Sequence, residues 1–298
     1  MWLALAFLSA ALLGLYDVSK KQALRDNAVI PVLFLNTFFS MLIFFPFITL
    51  SVVSDVLDGT MLYVPMCGWE VHKYIMLKAV IVLSSWIFGY FGMKHLPITI
   101  VGPINATRPV MVLLGALLIF GERLNAYQWV GVLLAMVSFM LLSRSGKKEG
   151  IDFRHNRWIF FVVMSSLLGA VSALYDKFLM QRFDSMVVQS WFTVYQFFIM
   201  CVLVLVLWVP VRHKTTPFRW SWAIPFISVF LCVADFAYFT ALAQEDSLIS
   251  VVSMVRRGSV VVSFLCGALL FREKNLRSKA LDLLLVLLGM LFLYLGSR

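Results

Sequence analysis

Arg108 and the pair Arg256-Arg257 stand in stretches that otherwise carry almost only apolar residues. A guanidinium at mid-bilayer costs at least ~2.5–3.5 kcal/mol on insertion scales, so these three must face water, an acid or an anion. Arginine grips carboxylate or phosphate through two parallel hydrogen bonds, so the chemistry on offer is recognition of an anion. The competing reading is internal pairing with Asp17, Asp176, Asp235 or Asp282, which locks helices together without touching substrate. Neighbours on a helix point roughly 100° apart, so one of Arg256 and Arg257 can do each job. Pairing with one of them is the leading explanation of Asp235, ahead of proton coupling.

Asp17 and Asp176 are candidate gates or proton carriers, with Lys20 and Lys177 as the nearest partners in sequence, so a satisfied pair near the interface is the plainer alternative. Tyr16, Tyr175, Tyr90, Tyr238, Trp86, Asn36 and Gln196 supply aromatic and amide groups suited to a cavity wall. Gly102, Pro103 and Pro109 interrupt the segment around Arg108. Proline removes a backbone donor and glycine loosens the helix, which frees carbonyls where a ligand can reach them; an ordinary kink is the alternative.

Other chemistries find little material. His72, His95, His155 and His213 lie in or beside loops without ligand spacing, and Cys67, Cys201, Cys232 and Cys266 stand singly, so no metal, cofactor or disulfide framework is expected. Asp55-Val56-Leu57-Asp58 spaces two carboxylates like half of a metal–diphosphate site, the basis for an alternative of another class, an intramembrane enzyme acting on a lipid-linked substrate. No second acidic cluster accompanies it, and no phosphate-binding G-x-x-x-x-G-K-[ST] loop occurs. The net charge of +10 sits at segment ends rather than on a soluble face, so nucleic acid is not an expected partner.

The elements that must hold these residues are transmembrane helices. At 62% hydrophobic and 13% charged, with mean hydropathy +0.93, the chain has too little polar material to cover a soluble globule. Its apolar runs each suffice for about 20 helical residues across a hydrocarbon core of about 30 Å. They fall near 2–22, 29–51, 73–93, 98–120, 127–144, 157–180, 187–209, 223–243, 249–271 and 277–296. A transmembrane barrel needs short alternating segments instead. The first run lacks a positively charged start and is read as a retained helix, not a cleaved signal. One basic linker, 147–156, divides a first five-helix unit, 1–146, from a second, 157–298.

The two units are faint copies. Leu15-Tyr16-Asp17 recurs as Leu174-Tyr175-Asp176, and Asn36-Thr37-Phe38-Phe39 answers to Tyr195-Gln196-Phe197-Phe198. Phe88-Gly89-Tyr90-Phe91 matches Phe236-Ala237-Tyr238-Phe239, and Phe120-Gly121-Glu122-Arg123 matches Phe271-Arg272-Glu273-Lys274, all in the same order. With an odd number of spans per unit, the second copy enters the bilayer from the opposite side. The expected fold is therefore all-α, ten transmembrane helices in two inverted five-helix repeats. Sixteen of the 25 Lys and Arg residues fall in odd-numbered connections and five in even connections or termini, which places the odd connections in the cytoplasm and both termini outside.

Gly121-Glu122-Arg123-Leu124 followed by Gln128-Trp129-Val130-Gly131, on a ten-span two-repeat pattern covering nearly the whole chain, resembles the drug/metabolite transporter superfamily, specifically its EamA type. In the second half Arg272-Glu273-Lys274 lacks the glycine, and Asp282 stands where glycine is usual. The resemblance implies a basket of helices around a cavity that opens alternately to each side, and termini in the cytoplasm, opposite to the charge count. By layout, Arg108 and Arg256-Arg257 are similar to the basic residues on the fourth and ninth helices that hold phosphate in the plastid sugar-phosphate translocators. The expected function is thus secondary transport of a small anionic metabolite across a membrane, the bacterial cytoplasmic membrane by analogy. A flippase for phospholipid or polyprenyl-phosphate sugar is the alternative within the same fold.

Overall fold

Where the sequence runs apolar, the chain is helical. The computed structural model describes residues 2–108, 110–111, 125–147, 155–180, 182–242, 255–256, 258–270 and 276–297. Among these, the longer helices are α1 (Trp2–Leu24), α2 (Val29–Val53), α3 (Trp69–His95), α4 (Ile98–Ala106), α5 (Ala126–Lys147), α6 (Arg157–Met180), α7 (Ser185–Leu203), α8 (Ala223–Leu242), α9 (Ser259–Leu270) and α10 (Leu276–Ser297). No strand occurs among the described residues. Four stretches are long and apolar enough to cross a membrane: Val29–Val53, Trp69–His95, Arg157–Met180 and Ser185–Val211, the last prolonging α7 through a π turn and a 3-10 turn. Leu42, Phe45, Val80, Phe160, Val202 and Leu205 are all exposed. An apolar outer surface of this kind suits lipid and not water.

Helix ends follow local chemistry. Asp184 caps α7, its Oδ1 accepting from the amides of Met186 at 2.8 Å and Val187 at 3.2 Å, donors that the first turn leaves unpaired. At the other end of a helix, the Lys21 ammonium donates to the carbonyls of Met93 at 2.8 Å and Leu96 at 2.5 Å, closing α3 with a cation where its dipole is negative. Lys21 therefore has a structural partner as well as a place in the charge count.

Helix α1 packs on α8 and α9, α2 on α7 and α8, α3 on α6 and α7, α4 on α6 and α9, and α5 on α10. Exchanging each of the first five helices with the helix five places later turns α1·α8 into α6·α3, α2·α8 into α7·α3 and α1·α9 into α6·α4. The pairs α2·α7, α4·α9 and α5·α10 map onto themselves.

Helices α3 and α6 run antiparallel. Trp158 stacks on His95 at 3.7 Å, Ser165 accepts from Ser85 at 2.8 Å through its carbonyl, and Asp176 meets Lys78. Gly89 and Gly92 make this approach possible: a Cβ at 89 would lie 2.7 Å from the Ser165 hydroxyl oxygen, and one at 92 would run into the Val162 side chain.

Candidate functional site

The fourth apolar run, expected as one span over 98–120, is interrupted. Helix α4 stops at Ala106, Thr107 forms a turn with its hydroxyl on the carbonyl of Ile104 at 2.7 Å, and Arg108 follows at once. Pro103 lies inside α4, and Gly102 packs against Val260 of α9, where a Cβ would come within 2.8 Å of Val260 Cγ2. Gly102 thus serves close helix packing. The ninth run is interrupted too: Gly258 lies in a turn between helical Arg256 and α9, its amide on the carbonyl of Val255 at 2.9 Å. Arg257 and Pro109 lie outside the described residues, as do residues 120–124 and 271–274 of the paired signature.

Several of the expected residues converge. On α1, Tyr16 and Lys20 stand one turn apart on one face, with the Lys20 ammonium 4.3 Å from the centroid of the Tyr16 ring and 5.4 Å from that of Tyr90 on α3. The same ammonium lies 2.7 Å from Asp17 Oδ1, so Lys20, only 7% exposed, is fully engaged. Arg256 pairs with Asp235 of α8, and its guanidinium covers the Tyr238 ring at 4.1 Å. Arg108 interacts electrostatically with Asp17, Tyr16 and Arg256. Its guanidinium lies against Gly169 of α6, where a Cβ would stand 2.7 Å from both Nε and Nη1. Only a residue without a side chain leaves room for it there.

The charges in this group do not cancel. Lys20 is matched by Asp17 and Arg256 by Asp235, but among the described residues no carboxylate comes within ion-pair distance of Arg108. Its Nε is buried and without a hydrogen-bond partner. A buried cation left so is costly unless an anion completes it.

Asp176 and Tyr175, whose Leu-Tyr-Asp motif matches that of Asp17 and Tyr16 in sequence, lie elsewhere. Asp176 pairs with Lys78 of α3 at 2.9 Å; Lys78 also covers the Phe192 ring at 4.8 Å and is only 5% exposed. The side chain of Lys177, the partner suggested by sequence, lies outside the described ones. Tyr175 donates to the carbonyl of Tyr74 at 3.2 Å and stacks on Phe178. Trp86 packs edge-on to Phe192. Lys78 had been assigned to a connection in the charge count; it is instead buried inside α3, twelve residues from Tyr90, or about 18 Å along the helix. Its place amid Ile75, Leu77, Ala79 and Val80 was the available signal.

Changing Lys78 to Met is expected to destabilise the protein by less than the ~3–5 kcal/mol of a fully buried pair, since the Asp176 side chain keeps 35% exposure. A second change, Asp176→Asn, should restore much of the loss. Thermal unfolding in detergent checks both, and an unchanged midpoint in Lys78→Met would mean the pair carries no stability.

The alternative chemistries find no assembled centre. Asp55 and Asp58 are exposed on a 3-10 turn. Cys67 Sγ lies 3.3 Å from His72 Nε2, and Tyr195 bonds His72 Nδ1 at 2.9 Å. Burial pushes the Cys67 thiol up from its ordinary value, away from the thiolate a nucleophile requires. Among the described residues no three His, Cys, Asp or Glu side chains group to hold a metal.

A lipid-facing helical bundle with charged side chains paired in its interior defines an integral membrane protein. Residues 1–144 match the EamA-like transporter family, a family of membrane transporters. A protein of solved crystal structure superposes with TM-score 0.63 at 14% identity, covering 99% of this chain and 98% of that one, a likeness of fold. No curated protein sequence matches the chain.

Proposed function

We propose that the chain is a secondary transporter for a small anionic metabolite, an organic anion or a phosphorylated compound, working by alternating access in the bacterial cytoplasmic membrane. The observation that carries this reading is Arg108: a half-buried guanidinium, seated on the bare backbone at Gly169, with its Nε buried and unpaired and no carboxylate at ion-pair distance among the described residues, while Lys20 and Arg256 each have one. An anionic group is the ligand that completes it.

The alternating-access part rests on ten spans in two inverted repeats, 1–146 and 157–298. Two observations support the division: the most extensive packing pairs exchange between the first five and second five helices, and the family match ends at residue 144, beside the proposed boundary. Helix interruptions beside Arg108 and after Arg256 are where such repeats place their binding groups.

Counterflow into proteoliposomes tests the proposal. Preloaded organic anions or phosphate esters should drive uptake of labelled anions, while amines and neutral solutes of similar size should not. Exchange of cations or neutral solutes alone would overturn the anionic reading.

A further inference from the structure

Helices α2 and α8 face each other with polar residues. Asn36 and Ser40 lie one turn apart on α2, and Ser228, Cys232 and Asp235 share one face of α8. Ser228 Oγ stands 2.9 Å from the Asn36 carbonyl and 3.0 Å from Asn36 Oδ1, while Cys232 lies beside Ser40 and interacts with Asp235. This polar track therefore leads along α8 to the Asp235–Arg256 pair. Helix α7 closes on α2 through Phe197, which packs against Phe34 and Phe38.

Several polar atoms on these helices are buried with no partner. Asn36 and Gln196 are wholly inaccessible, and Asn36 Nδ2 and both amide atoms of Gln196, Oε1 and Nε2, make no hydrogen bond, while Ser40 Oγ has only the Cys232 thiol beside it. Buried polar groups almost always find a partner, because an unpaired one bears the full cost of leaving water. A carboxamide with donor and acceptor both vacant is complementary to neighbouring hydroxyl groups: one accepts from Nε2 while the next donates to Oε1. An ammonium has no lone pair to accept from Nε2, and an alkyl group leaves the amides unpaired.

We propose that Asn36, Ser40 and Gln196 form a neutral hydrogen-bonding subsite on helices α2 and α7, where the polar track toward the Asp235–Arg256 pair begins, and that the substrate is a hydroxylated organic anion. This rests on the reading of Arg108 as the anion's anchor. The subsite selects the body of the molecule and Arg108 its charge.

The test uses purified full-length protein and ligand pairs matched in charge: glycerol 3-phosphate against propyl phosphate, and gluconate against hexanoate. Binding is read as thermal stabilisation. For the wild type, the hydroxylated member of a pair should reach half effect at a concentration at least about tenfold lower, one good hydrogen-bonded pair's worth. Gln196→Met and Asn36→Leu should each erase most of that preference and leave the plain anion's binding unchanged. Gln196→Met should not lower the melting point of the unliganded protein, because an unpaired amide gives way to an apolar group of similar size, whereas Asn36→Leu also removes the Oδ1 acceptor of Ser228 and should lower it slightly.

Equal binding of the two members of each pair by wild type would overturn this inference while leaving the anion site intact. So would a Gln196→Met protein that is less stable yet keeps the preference, since the amide would then be structural. Failure of every anion to bind wild type would overturn the Arg108 reading and this one with it.

Discussion

Replacing Arg108 by Gln is expected to abolish anion uptake in proteoliposomes while the protein remains folded and monodisperse. The loss should correspond to ~2–5 kcal/mol of binding, roughly 30-fold to several thousand-fold in Kd, the range for removing one partner of a buried charged contact. The fold is spared because Arg108 has no acid paired to it among the described residues, so its removal orphans no carboxylate. The unliganded variant should melt at the same temperature or higher, having lost an uncompensated buried cation. Lys at this position should recover only part of the activity, since an ammonium brings charge without the planar fork. Gly169→Val should imitate the Gln variant, as its side chain occupies the place of the guanidinium. A variant that misfolds but transports once rescued would make Arg108 a structural residue.

Arg256 should behave in the opposite way. Changing it to Gln leaves Asp235 buried and unmatched, and the expected result is a loss of stability toward the lower end of ~3–5 kcal/mol, because the two side chains keep 18% and 27% exposure. Adding Asp235→Asn should restore most of it. Differential scanning in detergent reads both steps. An Arg256→Gln protein as stable as wild type but unable to bind anion would instead put Arg256 in contact with substrate.

These contrasting expectations could not be drawn from sequence alone. Mid-membrane placement singled out Arg108 and Arg256 together, because hydropathy sees depth and not direction. Which of them has an acid beside it depends on how α8 packs, and that is set by contacts between segments far apart in the chain. Helix positions were legible for the same reason in reverse: apolar runs are local, and α2, α6 and α8 lie within a few residues of their expected bounds. The interruption at Thr107 was announced by Gly102, Pro103 and Pro109, whereas the turn at Gly258 had a single glycine to mark it. Partner choice was the least legible. Asp176 has Lys177 next to it in sequence yet reaches across to Lys78, and Gly169 gave no sign that a guanidinium would rest on it.

The antiparallel pair α3 and α6 is not uniform along its length. At Gly89 and Gly92 the side chains between the two helices come from α6 alone, Ser165 and Val162, whereas toward Lys78 and Tyr74 both helices contribute, through the Lys78–Asp176 pair and the rings of Tyr74 and Phe178. Taken as a pivot, the glycine contact gives the pair a long arm. Lys78 lies fourteen residues from Gly92, a lever arm of about 21 Å. A tilt of about 10° between the helices therefore moves the far end by roughly 4 Å, enough to admit a water molecule, while the glycine contact scarcely shifts.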